Sequence, residues 1–377
     1  MEDWSVVYRV SLFGFLGAMI FGAVASKTHF CTMGSVSDWI NMGSKVRFRA
    51  WVLSMGIAIL GAQAMMQTGL IDLNETIYRG PSFGWTGFLI GGILFGIGMT
   101  LGGGCGQRTL VRVGGGNLKS LVVLIVMAIT AYATLRGILA PVRIDLFGPL
   151  AVDLSMHDIN DQGIDTLIAH LTGLSLHMVS VAVAFIFGVG AIIYAIKDKS
   201  FRQSFDSILA GLTIGVLVCG AWYVTGVIGN DDFEPVPLEA VTFIAPSANF
   251  LNYIMTWTGS EISFGIAVVC GMIAGSFIYA VLTGNFRVES FVARADMRNH
   301  LVGGVLMGFG GVLSFGCTIG QGVSGISTLA LGSFLTLISI MLGSALTMKT
   351  QYYMLDDGFW VSLRQSLADL KLWPQKP

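Results

Sequence analysis

Charge is scarce in this chain: only 11% of its 377 residues are Asp, Glu, Lys or Arg, whereas about a quarter of an ordinary soluble domain is charged. Hydrophobic residues make up 54% and mean hydropathy is +0.75, so a soluble globular protein is excluded and an integral membrane protein is indicated. No carboxylate falls within any of the long apolar runs. The basic residues form short clusters between those runs rather than a stripe, which excludes a nucleic-acid surface. A basic n-region is missing, since Glu2 and Asp3 stand where a cleavable signal would carry positive charge, and the first apolar run is expected to be a retained helix. P-loop, dinucleotide and Ser-His-Asp signatures are all lacking, so no cofactor and no enzymatic activity are expected, and an ATP-driven mechanism would need a separate subunit. The five cysteines, at 31, 105, 219, 270 and 317, include no CxxC and match no zinc spacing. Segment 153–170 holds four Asp and two His in no EF-hand or zinc pattern, and reads as a solvated loop.

What is present is apolar sequence long enough to span a bilayer repeatedly. A spanning helix needs about 20 apolar residues. Nine runs qualify, near 10–30, 50–69, 84–104, 120–140, 178–196, 207–228, 262–282, 301–316 and 333–348. With the N-terminus outside, the inner segments hold 16 of the 21 Lys and Arg, and the two acidic stretches 141–177 and 229–261 both fall outside. The expected class is therefore an all-α polytopic membrane protein. Its parts are a first membrane repeat over 1–140, an extracytoplasmic acidic segment and linker helix over 141–206, a second repeat over 207–348 and an amphipathic tail over 349–377. In that tail Phe359, Trp360, Leu363, Leu367, Leu370 and Trp373 recur at roughly helical spacing, with Arg364 and Lys371 beside them, as in an interfacial helix.

The two halves share a phrase. GGILFGIGMTLGGGC at 91–105 and GGVLMGFGGVLSFGC at 303–317 are offset by 212 residues and agree at eight of fifteen positions without a gap. Each ends in Gly-Cys and then reaches a Gly-Gln pair, Gly106-Gln107 and Gly320-Gln321. Five spans separate equivalent helices, so the halves run in opposite directions, an inverted repeat of the kind that places a substrate site near the midplane. Residues 301–348 carry no charge yet are rich in glycine and polar residues after Cys317. Such backbone is tolerated at membrane depth only where it is buried in protein or lines a cavity. Both glycine-rich segments are thus expected to break or re-enter within the membrane. Cys31, in SKTHFCTMGSVSDW, closes the first run at a similar break. Close packing explains the GGxLxG glycines, but not why both phrases end in Cys. Lys27 and His29 read as anchor or loop residues, and Arg108, Arg112 and Lys119 as an orienting cluster or an anion funnel.

A thiol in an unwound apolar segment is a weak, polarizable donor, and helix ends add fixed positive dipole. Together they suit a soft anion carrying sulfur or selenium, held weakly enough to leave again. Cys31, Cys105 and Cys317 are the expected contacts, with Gly103, Gly104 and Gly316 letting backbone approach and Gln107, Thr318 and Gln321 as polar lining.

The phrases THFCTMG, LGGGCGQRTLVRVGGGNLKSL and SFGCTIGQGVSGIS resemble those of the YeeE/YedE family of bacterial inner-membrane sulfur transporters, and the likeness extends to about residue 348. The resemblance implies a helical, pseudo-symmetric, multi-pass inner-membrane protein that imports thiosulfate for sulfur assimilation. Three cysteines would hand the ion along by S–H···S contacts, here Cys31, Cys105 and Cys317, beside a TusA-like cytoplasmic sulfurtransferase. The chain departs from many such relatives at Gly106-Gln107-Arg108, where they carry a Thr-Ser-Gly-His run. Alternatives of the same or another class are a transporter of other sulfur or selenium oxyanions and a membrane thiol–disulfide redox protein.

Overall fold

Lipid offers no partner to a backbone N–H, so an apolar run inside it closes its own hydrogen bonds as helix. A computed structural model shows that architecture and describes residues 5–370. Helices α1 (Val6–Thr28), α2 (Thr32–Met42), α3 (Val46–Gln67), α4 (Gly92–Leu101), α5 (Gly106–Gly114) and α6 (Leu118–Arg136) form the first half. α7 (Ile164–Thr172), α8 (Leu176–Ile196) and α9 (Lys199–Gln203) follow. The second half comprises α10 (Phe205–Tyr223), α11 (Ile244–Met255), α12 (Phe264–Leu282), α13 (Arg294–Leu313) and α14 (Leu331–Tyr353), with a π-helical turn at Gly320–Gly325 before α14. α15 (Phe359–Asp369) ends the described chain.

Among the described residues, eight helical stretches are long and apolar enough to cross a membrane. The ninth expected run, 301–316, lies in α13, whose first turns carry Arg294, Asp296 and Arg298. Each half follows one plan: a long helix, a break and a short helix, a long helix, a glycine-rich helix, a second break and a short turn, then a last long helix. The offset of 212 extends beyond the shared phrase, since α2 begins at Thr32 and α11 at Ile244. Packing obeys the same exchange of halves. α1 lies on α12 as α3 lies on α10; α4 lies on α14 as α6 lies on α13; α11 lies on α6 as α2 lies on α14. At the centre α4 crosses α13, and there the shared glycines are needed. A Cβ on Gly98 would stand 2.8 Å from the Gly303 carbonyl oxygen, and one on Gly310 would stand 2.6 Å from that of Gly91.

Two faces close this bundle. On the acidic face, Arg79 is fully buried and its Nη2 meets Asp161 at 2.9 Å and Asp165 at 2.8 Å. Its Nη1 also donates to the Thr328 carbonyl at 3.4 Å, in the segment after Cys317. Backbone bonds from Ile164 N to Leu329 O at 2.9 Å and from Leu331 N to Gln162 O at 3.0 Å complete the clamp. The solvated-loop reading of 153–170 is therefore corrected at Asp161 and Asp165, whose charge is neutralised by an arginine distant in sequence, whereas His157 and His170 are exposed. On the basic face, Asn117 caps α6 through Ser120 N at 2.9 Å and donates to Glu289 at 2.6 Å, joining the halves. α15 packs on α14 through its serines, with Thr350 Oγ1 donating to Ser366 Oγ at 3.2 Å. Phe359 and Trp360 stay exposed, while Lys371 and Trp373 lie outside the described residues.

Candidate functional site

Each of the three singled-out cysteines stands at the same kind of corner. Two residues before it the chain adopts a left-handed conformation: His29 (φ 51°) before Cys31, Gly103 (φ 72°) before Cys105 and Phe315 (φ 58°) before Cys317. This conformation costs a side-chain-bearing residue about 1–2 kcal/mol, and such strain gathers at functional sites. Beyond the corner a new helix or turn starts. Cys31 is the N-cap of α2 and Cys105 the N-cap of α5, both in extended conformation. Gly320 N–H donates to the Cys317 sulfur at 3.4 Å. The free N–H groups and positive dipole of a helix start face each thiol.

The fold brings the corners together. Cys31, Cys105 and Cys317 are all buried and all free thiols. The Cys31 and Cys105 sulfurs are neighbours that interact directly, and the Cys105 thiol also lies beside the Thr318 hydroxyl. The residue after Cys317 thus reaches the cysteine of the other half. Backbone N–H groups of Met33 and Gly34 adjoin the Cys31 sulfur, and Phe243 N–H and the Thr242 hydroxyl adjoin that of Cys317. Three hydroxyls at these corners, Thr32 Oγ1, Ser35 Oγ and Thr318 Oγ1, are buried without a hydrogen-bond partner. Buried polar groups are normally paired, and each orphan calls for an explanation. Three of them stand one to four residues after a singled-out cysteine, where they are free to donate.

The two glutamines hold backbone. Gln107 Nε2 donates to Phe30 O at 3.2 Å, tying the second corner to the first, while its Oε1 stands 4.0 Å from the Cys105 sulfur. Gln321 Nε2 donates to Ser314 O at 2.6 Å and its Oε1 accepts from Ser333 at 2.5 Å, so its amide is engaged within its own break. Gly104 is needed sterically, because a Cβ there would stand 2.9 Å from Arg108 Cγ. Arg112 Nη1 donates to Gly103 O at 2.9 Å and holds that corner. Gly316 follows the left-handed Phe315 and bonds through its N–H to Gly311 O at 2.7 Å.

Sequence reasoning missed several neighbours. Gln63 of α3 donates to Ser327 O at 3.3 Å, and Trp222 Nε1 donates to Ser327 Oγ at 2.9 Å, supporting the turn after Cys317. Gln63 is an amide in an otherwise apolar run, which is a usable signal. Phe243 was also findable, since adding the 212 offset to Cys31 lands on it. Phe243 is the N-cap of α11, the counterpart of Cys31 before α2, and it is fully buried against Phe21 in place of a thiol. Thr242, Tyr78 and Glu239 lie in loops without periodicity and gave no signal.

Tyr78 lies within electrostatic range of both Cys317 and Glu239. Burial pushes the Glu239 carboxyl up to about 7, against a smaller opposing hydrogen bond from Gly265 N–H. Toward the basic face, Arg108 is within electrostatic range of the Cys31 and Cys105 sulfurs, and its Nη2 stands 3.5 Å from His29 Nδ1. The thiols and hydroxyls of the three corners thus stand among weakly polar neighbours, with Arg108 within electrostatic range of Cys31 and Cys105.

Comparison with known proteins agrees with this chemistry. A family described as sulphur transport matches residues 27–346, which include all three corners. The chain is similar to the thiosulfate transporter TsuA of Escherichia coli (strain K12), at 25% identity over 354 residues, 89% of this chain and 93% of that protein. It is also similar to the thiosulfate transporter TsuA of Spirochaeta thermophila, at 26% identity over 337 residues, 88% of this chain and 96% of that one.

Proposed function

The chain belongs to the sulphur transport family and is a multi-pass membrane transporter of sulfur compounds, and we propose that it imports thiosulfate past Cys317, Cys105 and Cys31 for sulfur assimilation. The observation that carries this reading is the convergence of three free thiols, each at a helix start beside an orphaned hydroxyl or a free backbone N–H. Thiosulfate presents a soft terminal sulfur and three oxygens. The S–H groups meet the sulfur as weak donors, and Thr318, Thr32, Ser35 and the helix-start N–H groups meet the oxygens. No fixed cation adjoins Cys317, because Arg79 is held by Asp161 and Asp165. Binding along this line is therefore weak and multiple, as passage requires.

The direction follows from charge. The face with Arg108, Arg112 and Lys119 is cytoplasmic by the positive-inside rule, and the acidic face is outside. The membrane is then the bacterial inner membrane, and a TusA-like sulfurtransferase is the natural acceptor on the basic face. The names of the two TsuA relatives support thiosulfate over selenium or other sulfur oxyanions. The adjacency of Cys31 and Cys105 also suits a thiol–disulfide exchanger, for which a redox-dependent mobility shift would be diagnostic.

Growth of a sulfur-auxotrophic bacterium on thiosulfate as sole sulfur source tests the reading. The intact chain is expected to support growth, and Cys317→Ala is expected to abolish it at matched membrane levels. Equal growth with both would remove Cys317 from the pathway. Growth with neither, but growth on another sulfur oxyanion or uptake of radiolabelled selenite, would change the substrate.

A further inference from the structure

The cations of the basic mouth are not equivalent. Arg47 pairs with Asp38 at 3.2 Å, Arg49 with Asp198 at 3.6 Å and Lys119 with Asp296 at 2.7 Å. Arg112 caps the Gly103 carbonyl. Arg108 is different. Among the described residues no carboxylate pairs with it, and its one polar neighbour is His29 Nδ1 at 3.5 Å, itself a group that carries positive charge when protonated. Its stem packs over Gly104, where a Cβ would stand 2.9 Å from Arg108 Cγ. The Cys31 and Cys105 sulfurs lie within its electrostatic range. A half-buried guanidinium with no paired carboxylate, beside an imidazole that stands two residues before Cys31, is suited to an anion, and the Cys31 corner itself carries two buried orphan hydroxyls. Arginine's planar fork matches the oxygens of an oxyanion in a bidentate manner.

We propose that Arg108 and His29 form a receiving site for a dianionic sulfur oxyanion at the basic mouth, holding its oxygens as its sulfur leaves Cys105 and Cys31. The site deepens the transport reading and rests on it for the identity of the ion. It gives the weakly binding thiol line a terminal trap on one side, which favours forward passage. A guanidinium is needed there because thiols cannot grip the oxygen end of the ion.

The test compares radiolabelled thiosulfate uptake by full-length wild type, Arg108→Gln and Arg108→Lys at matched membrane levels. Removing a charge-assisted contact should lower the maximal rate of Arg108→Gln by about tenfold. The half-saturating concentration should change less, because the ion meets this site after the thiols. Arg108→Lys, which keeps the charge but not the fork, should recover only part of the loss, and rising salt should slow wild type more than Arg108→Gln. A maximal rate for Arg108→Gln within about twofold of wild type, with the same salt response, would overturn the proposal. If wild type itself takes up no thiosulfate, the transport reading fails separately. Calorimetric titration of purified wild type and Arg108→Gln with thiosulfate, sulfite and selenite then decides the site. Weaker binding of any of these by the variant supports it, and equal binding or none by either protein overturns it.

Discussion

A single thiol is a poor anion ligand, and three thiols spaced along a line are useful because each is poor. What distinguishes Cys31, Cys105 and Cys317 from Cys219 and Cys270 is the backbone beneath them. Cys219 sits mid-helix, its sulfur 3.6 Å from the Ile57 carbonyl, while the other three stand at helix starts. Glu239 belongs to the same scale. Its carboxyl titrates near 7 instead of near its usual 4.5, so the folded protein holds a proton there that the unfolded chain has already lost between those values. Stability must then fall as pH rises from about 5 to about 7, and level off above the folded value. Glu239→Gln should flatten that slope, and thermal unfolding of purified protein at pH 5, 6, 7 and 8 would show it. A parallel decline in both proteins would contradict the assignment. The same ionisation places a negative charge within range of Tyr78, a neighbour of Cys317, so uptake by wild type should also weaken above pH 7 relative to the variant.

Secondary elements explain why the site can exist in lipid at all. Broken helices leave unsatisfied N–H and C=O groups, and these breaks are enclosed by protein and tied by Gln107, Gln321, Arg112 and Arg79. The breaks at Cys105 and Cys317 were legible in the sequence because glycine and polar residues interrupt runs too apolar for solvent. The ties were not legible, since Arg79 meets Asp161 and Asp165 across more than 80 positions. Local periodicity carries no trace of such a pairing. Arg79→Ala leaves two buried carboxylates without a counter-charge and should cost about 3–5 kcal/mol. Adding Asp161→Asn and Asp165→Asn should recover part of it, because the neutral amides remove the uncompensated charge. Thermal denaturation of the three proteins in one detergent would measure both steps, and an unchanged midpoint for Arg79→Ala would show that the clamp is unimportant.

At the scale of the whole molecule, the fold is two copies of one plan interleaved. Hydropathy exposed the spans, and the offset of 212 exposed the kinship of the halves. Its reach into α2 and α11 required the structure, because Thr32 and Ile244 open helices whose sequences share little. Interleaving places α4 against α13 at the centre, so the two glycine-rich corners meet there and Thr318 of one half touches Cys105 of the other. The breaks of both halves therefore lie at the centre, with paired long helices on both sides.

Cys105 is the group that both halves reach, so its removal tests the account most directly. The measurement is the initial rate of radiolabelled thiosulfate uptake into liposomes reconstituted with wild type, Cys105→Ala and Cys219→Ala. The account predicts transport by wild type and Cys219→Ala alike and a loss of about tenfold or more in Cys105→Ala, the effect of removing one contact along the line. Uptake by Cys105→Ala at the wild-type rate would contradict it.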